Sequence, residues 1–146
     1  MGAIVQEVLR AADHFGFRLQ VLDADQTAPL WHRLAQRFGE PGRGRRLWEQ
    51  LSQRAAVQDP DAWCWIANFL SDEPVLMLFD PSDEVVGVRF AHGSQVVPVL
   101  AESFGFEFYV TNEQLEFLLC FNHHDFLIAA GSAKAWLENV QLKPPT

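Results

Sequence analysis

Apolar side chains recur along this chain at two different spacings, and the change between them falls near residue 72. Before it the period is helical. Ile4, Val8, Ala11, Ala12 and Phe15 share one helix face, and Gly16 stops the run. Residues 17–22 then alternate apolar and polar, which predicts a strand ended by Asp23. A second helix is expected to start near Thr27, whose hydroxyl can cap it, and to carry Leu30, Leu34 and Phe38 inward until Gly39 and Pro41 end it. Trp48, Leu51 and Ala55 mark a third helix. Asp59-Pro60-Asp61 supplies an oxygen cap, a proline for the first turn and an acid near the dipole, so a fourth helix should follow. Trp63, Ile66, Ala67 and Leu70 fall on one stripe of it, and Trp65 and Phe69 on another. Apolar over much of its circumference, it is expected to be the central helix.

Beyond residue 72 the period is two. Residues 75–79 form a short apolar run, and Asp80-Pro81-Ser82-Asp83 turns the chain into a strand carrying Val86, Val88 and Phe90. Phe106, Phe108 and Val110 point one way, while Glu107, Tyr109 and Thr111 point the other. Asn112-Glu113-Gln114 leads into residues 117–121, which are apolar on both faces and therefore suit a central strand. Residues 126–129 follow after only four positions, implying a hairpin. Gly131-Ser132 opens a short helix ending near Asn139. For residues 95–104, Pro98 at the start and Gly105 after the end suit a short helix, with a further strand as the alternative. The pattern predicts one α+β domain over residues 1–142, with N-terminal helices packed on a C-terminal antiparallel sheet, a short C-terminal helix and a tail at 143–146.

Composition narrows the class. The 146 residues are 49% hydrophobic and 21% charged, which excludes a disordered chain, a collagen-like fibre and a coiled coil. Two cysteines, Cys64 and Cys120, exclude a disulfide scaffold and are expected to be buried, inert thiols. Glu7 and Arg10 interrupt the N-terminus before any apolar core of signal length, and residues 62–70 are far short of the ~20 needed to span a bilayer. The expected location is the cytoplasm, with no membrane partner.

Charge changes the picture more. Residues 1–58 hold eight basic and six acidic side chains, whereas residues 59–146 hold three basic and thirteen acidic. A net −10 in the second part repels nucleic acid and favours a basic partner. The candidate partner-binding acids are Asp72, Glu73, Asp83, Glu84, Glu107, Glu113 and Glu116, with Asp80 and Glu102 nearby in sequence, all at turns or on sheet faces read as solvated. The same charges also suit protection of strand edges against aggregation.

The chemically loudest string is Asn122-His123-His124-Asp125. Imidazole and carboxylate serve both as metal ligands and as acid–base pairs. In a strand, neighbours point to opposite faces, so His123 joins Asp125 but not His124, and a third ligand would have to come from His92 or His14. The alternative is a polar hairpin turn in which Asn122 and Asp125 bond local backbone N–H groups. Gly42-Arg43-Gly44-Arg45-Arg46 reads as a solvated, mobile loop rather than a phosphate grip. Of the five tryptophans, Trp48, Trp63 and Trp136 suit the core, and Trp31 or Trp65 suits partial exposure. No nucleophile elbow, phosphate loop, dinucleotide fingerprint or spaced metal motif is present, so no catalytic residue, metal or cofactor is predicted.

Phe108-Tyr109-Val110-Thr111-Asn112, Phe117-Leu118-Leu119-Cys120-Phe121-Asn122-His123-His124-Asp125, Leu127-Ile128 and Gly131 resemble a group of small uncharacterised bacterial proteins. More loosely, helices followed by an acidic antiparallel sheet resemble the SUKH-type immunity proteins, which neutralise bacterial toxins by binding them. The early Leu-Pro and Asn-Gly-Gly signals of that family are missing here. The −10 balance of residues 59–146 and the absence of a catalytic signature predict a non-catalytic, acidic module for a basic protein partner, and the resemblance implies an immunity-like role for it. A metal protein or enzyme using the Asn-His-His-Asp hairpin, and a structural homodimer built on exposed aromatics, are the alternatives; the chain is expected to be a monomer or homodimer.

Overall fold

A computed structural model describes residues 1–142, and the tail predicted at 143–146 lies outside the described residues. Helix α1 (Ala3–His14) leads into strand β1 (Gln20–Leu22), helix α2 (Ala24–Phe38), a single turn α3 (Leu47–Gln50) and strand β2 (Arg54–Gln58). A 3-10 segment (Ala62–Asn68) precedes β3 (Val75–Leu78) and β4 (Gly87–Phe90). Helix α4 (Val96–Glu102), strands β5 (Phe108–Thr111), β6 (Phe117–Phe121) and β7 (Phe126–Gly131), and helix α5 (Ala133–Leu142) complete the described chain. This is the α+β arrangement that the spacing predicts.

All seven strands form one antiparallel sheet in the order β1-β4-β3-β5-β6-β7-β2. The C-terminal strands occupy its middle, and the two strands from the helical N-terminal part close its edges. Strand alternation divides the core. Met77, Val88, Phe108, Val110, Leu119 and Ala129 face Val5 and Val8 of α1, Ile66, Val99 of α4 and Leu137 of α5. Leu78, Tyr109, Leu118, Cys120 and Ile128 face Leu34 of α2 together with Leu47 and Leu51. Helices therefore cover both faces, and positions read as a solvated face are occupied by buried side chains. Tyr109 and Thr111 are fully buried.

Three local expectations are corrected. Helix α2 begins three residues before Thr27: Asp23 accepts from the Gln26 backbone N–H at 2.8 Å, and the Gln26 side chain returns a bond to Asp23 N, a reciprocal cap. Thr27 is instead buried inside the helix, where its hydroxyl donates to Leu22 O at 2.9 Å and accepts from Gly87 N at 3.0 Å, tying α2 to β1 and β4. The predicted third helix stops at Gln50, and Ala55 lies in β2 opposite Ala129. Alanine favours a helix locally, but an open sheet edge beside β7 offers five residues a full ladder, and tertiary pairing wins over propensity. The fourth segment is a seven-residue 3-10 turn rather than a central helix: Ala62 and Ile66 are buried, Ala67 is exposed, and Trp63, Trp65 and Phe69 lie half-buried over one sheet face. Residues 96–102 are helical, which decides the alternative left open for that segment.

Candidate functional site

The structure distributes the seven candidate acids among three environments. Glu84 is buried, only 5% exposed, and caps α1 from a distance of 82 positions in sequence. Its Oε1 accepts from Gly2 N at 2.9 Å and Val5 N at 3.3 Å, where the helix has no capping side chain of its own. Glu107 is also buried, with its side chain 5% exposed. These two carboxylates are corrected from partner-facing acids to internal ones, because each is consumed by donors of the chain itself. Asp83 sits with Glu107: the Arg46 guanidinium reaches Asp83 at 2.8 and 3.2 Å and Glu107 Oε2 at 2.7 Å. Held between two carboxylates, Arg46 has its pKa raised, with the Asp83 hydrogen bond the largest cause.

The remaining four acids meet at one end of the sheet. Glu73, Glu113 and Glu116 line a shared groove of about 550 Å³ with Pro74, Asn112 and Gln114. Asp72 stands beside Glu73, takes a 2.7 Å bond from the Ser94 hydroxyl, and lies 3.6 Å from His92 Nδ1. Glu113 pairs with Arg89 at 2.7 Å. Asn112 braces the turn between β5 and β6 by donating to Glu116 Oε1 at 2.6 Å and accepting from Glu116 N at 2.9 Å. Leu115 in that turn adopts φ +55° and is only 6% exposed. Burying its side chain against Leu118 and its neighbours offsets the backbone strain and fixes the turn that carries two of the groove's acids.

The Asn-His-His-Asp string forms the β6–β7 turn. Asn122 is buried, and its Oδ1 accepts from His124 N at 2.9 Å and Phe126 N at 3.1 Å, as a polar turn requires. Asp125 takes the left-handed conformation at φ +63°. Because the two histidines sit in the turn rather than in a strand, alternation does not apply to them. Their ring centroids lie 4.0 Å apart, contrary to the expected separation of His123 from His124. Trp48 meets both rings edge-on, at 6.2 and 6.0 Å. His123 pairs through Nδ1 with Glu107 Oε1 at 2.9 Å. His92 is committed near Asp72, and among the described residues no group of three or more His, Cys, Asp or Glu side chains is placed to hold a metal ion.

Arg46 was not separable from its loop by sequence. One signal pointed to it: an acid at an alternating strand position needs a counter-charge, and the second part of the chain has few to supply. The tryptophans are all half-buried, Cys64 is half-buried rather than buried, and Cys120 is fully buried. Burial raises the pKa of the Cys120 thiol well above its usual value and that of the Tyr109 phenol likewise, and the Tyr109 hydroxyl accepts from Trp48 N at 3.2 Å. Compared with protein-family models, curated proteins and solved structures, the chain matches none of them. No helix among the described residues is long and apolar enough to cross a membrane.

Proposed function

We propose that this protein is a non-catalytic binding module of the bacterial cytoplasm, immunity-like in role, whose acidic sheet end takes a basic protein partner. The observation that carries the reading is the convergence of Glu73, Glu113 and Glu116 on one groove beside Asp72. An exposed carboxylate cluster of this kind raises the encounter rate with a basic surface and gives binding that weakens with salt. Arg89 partly neutralises Glu113, so an arriving lysine or arginine competes with an internal ion pair of 2.7 Å and gains most from Glu73 and Glu116.

Affinity capture with two baits tests the reading: the natural chain, and a variant carrying Glu73→Lys, Glu113→Lys and Glu116→Lys. The expected result is a basic protein retained by the first, released by salt and lost by the second. The product of a neighbouring gene is the first candidate to try. Retention that ignores both salt and the charge reversals, or no retained protein, counts against the proposal. Matching thermal melts of the two baits secure the comparison, because all three side chains are exposed.

A further inference from the structure

We infer that the cleft between the loop after α4 and the β6–β7 turn binds a small planar aromatic molecule bearing a hydroxyl, which donates its proton to Nε2 of His123. The cleft encloses about 400 Å³, within the range of small-molecule sites, and shares no lining residue with the acidic groove. Its apolar wall is largely aromatic. Phe104 is 52% exposed at the rim and meets Phe106 edge-on at 6.1 Å; Phe106 meets Phe108 at 6.2 Å, and Phe108 stacks on Phe121 at 6.4 Å. A flat ring matches that wall by the offset and edge contacts that aromatic pairs prefer. The wall is also held in place. Phe104 N donates to Glu7 Oε2 at 2.9 Å, and Arg10 donates to Glu102 O at 2.8 Å, so the loop is pinned to α1 before a ligand arrives.

The polar atoms of the cleft select the ligand's one polar group. Ser103 spends its hydroxyl proton on Val99 O at 2.7 Å, which leaves no hydroxyl nucleophile among the lining residues. Glu107 is consumed by Arg46 and by His123, whose ring Nδ1 and backbone N–H both approach its Oε1. A carboxylate paired with a guanidinium accepts, so in the singly protonated ring Nδ1 of His123 carries the proton towards Glu107 and Nε2 is left as an acceptor. The His123 side chain is 55% exposed, and Nε2 has no partner among the described residues. An aromatic hydroxyl supplies the donor that Nε2 lacks, whereas a carboxylate ligand has no proton to give it.

The probe is 2-naphthol, with 2-methoxynaphthalene as the partner lacking the donor, each titrated into the full chain and followed by amide NMR shifts. The expected result is saturable shifts at residues 100–108 and 121–125 with 2-naphthol, and binding about three- to tenfold weaker for the methoxy compound, the loss of one neutral hydrogen bond. His123→Ala should weaken 2-naphthol to the level of the methoxy compound. Phe104→Ala, at an exposed ring that the fold does not need, should weaken both compounds. Equal affinity of the two compounds for the natural chain, or no saturable shift at the cleft with 2-naphthol, overturns the proposal even if His123→Ala fails to fold.

Discussion

Replacing Arg46 by methionine removes the cation that two carboxylates share while keeping most of the side chain's volume. The arm to Asp83 joins side chains that are 27% and 28% exposed, so solvent screening holds its worth to about 1 kcal/mol or less. The arm to Glu107 is different, because that carboxylate is 5% exposed and cannot turn to water when its partner leaves. Removing one member of a fully buried pair costs about 3–5 kcal/mol. Here His123 remains at 2.9 Å and Arg46 itself is partly exposed, so about 2 kcal/mol is the appropriate size for this arm. The variant should lose about 2–3 kcal/mol in urea unfolding at neutral pH, with an unchanged denaturant slope, and about 5–10 °C in Tm. Adding Glu107→Leu should recover most of the loss, since an apolar pair leaves no stranded charge. A cost below about 0.5 kcal/mol for Arg46→Met, or a double variant no more stable than the single one, would refute the reasoning that Glu107 depends on Arg46.

Three further outcomes follow from the same geometry. Glu84→Ala removes the only side-chain acceptor at the α1 N-terminus among the described residues and should cost about 1–2 kcal/mol, with faster amide exchange at Gly2 and Val5, and Glu84→Gln should cost less. Iodoacetamide at mildly alkaline pH should label Cys64 in the folded chain and reach Cys120 only after unfolding, because burial both covers that thiol and disfavours its thiolate; labelling of Cys120 in the native state would contradict this. The Arg10 side chain, and after it the Phe104 N–H, hold the Glu7 carboxyl below its usual pKa. A depressed folded-state pKa contributes stability that is present above the ordinary carboxylate range and is lost as pH falls through the depressed value. The difference in stability between the natural chain and Glu7→Gln should therefore be present at neutral pH and fade in acid, as measured by urea unfolding across pH.

Strand alternation was legible because it is a local property: the opposed faces of β5, the apolar β6 and the β6–β7 hairpin all follow from it. The edge strand β2 was not, since Arg54-Ala55-Ala56-Val57-Gln58 has no strand character of its own and becomes a strand only against Ala129 and its neighbours. The short stretch around Trp63 carried a helix cap and an apolar stripe, yet bulky aromatic side chains and close contact with the sheet leave it as a 3-10 turn. At the site, the acids at 73, 113 and 116 were legible as a charge excess, but their convergence depends on the start of β3 and the β5–β6 turn meeting at one end of the sheet. Glu84 and Glu107 could not be told from surface acids, because the Gly2 N–H and the Arg46 guanidinium that hold them lie 82 and 61 positions away. For the same reason Arg46 looked like one of several loop arginines.

The most direct test of the acidic end as a recognition surface is the dissociation constant for the captured partner as a function of salt, from about 50 to about 500 mM, measured alongside the Glu73→Lys, Glu113→Lys, Glu116→Lys variant. Binding to the natural chain should weaken at least about tenfold over that range, and the variant should bind weakly throughout with little further salt dependence. A dissociation constant that stays level with salt, or that the three reversals leave unchanged, would contradict it.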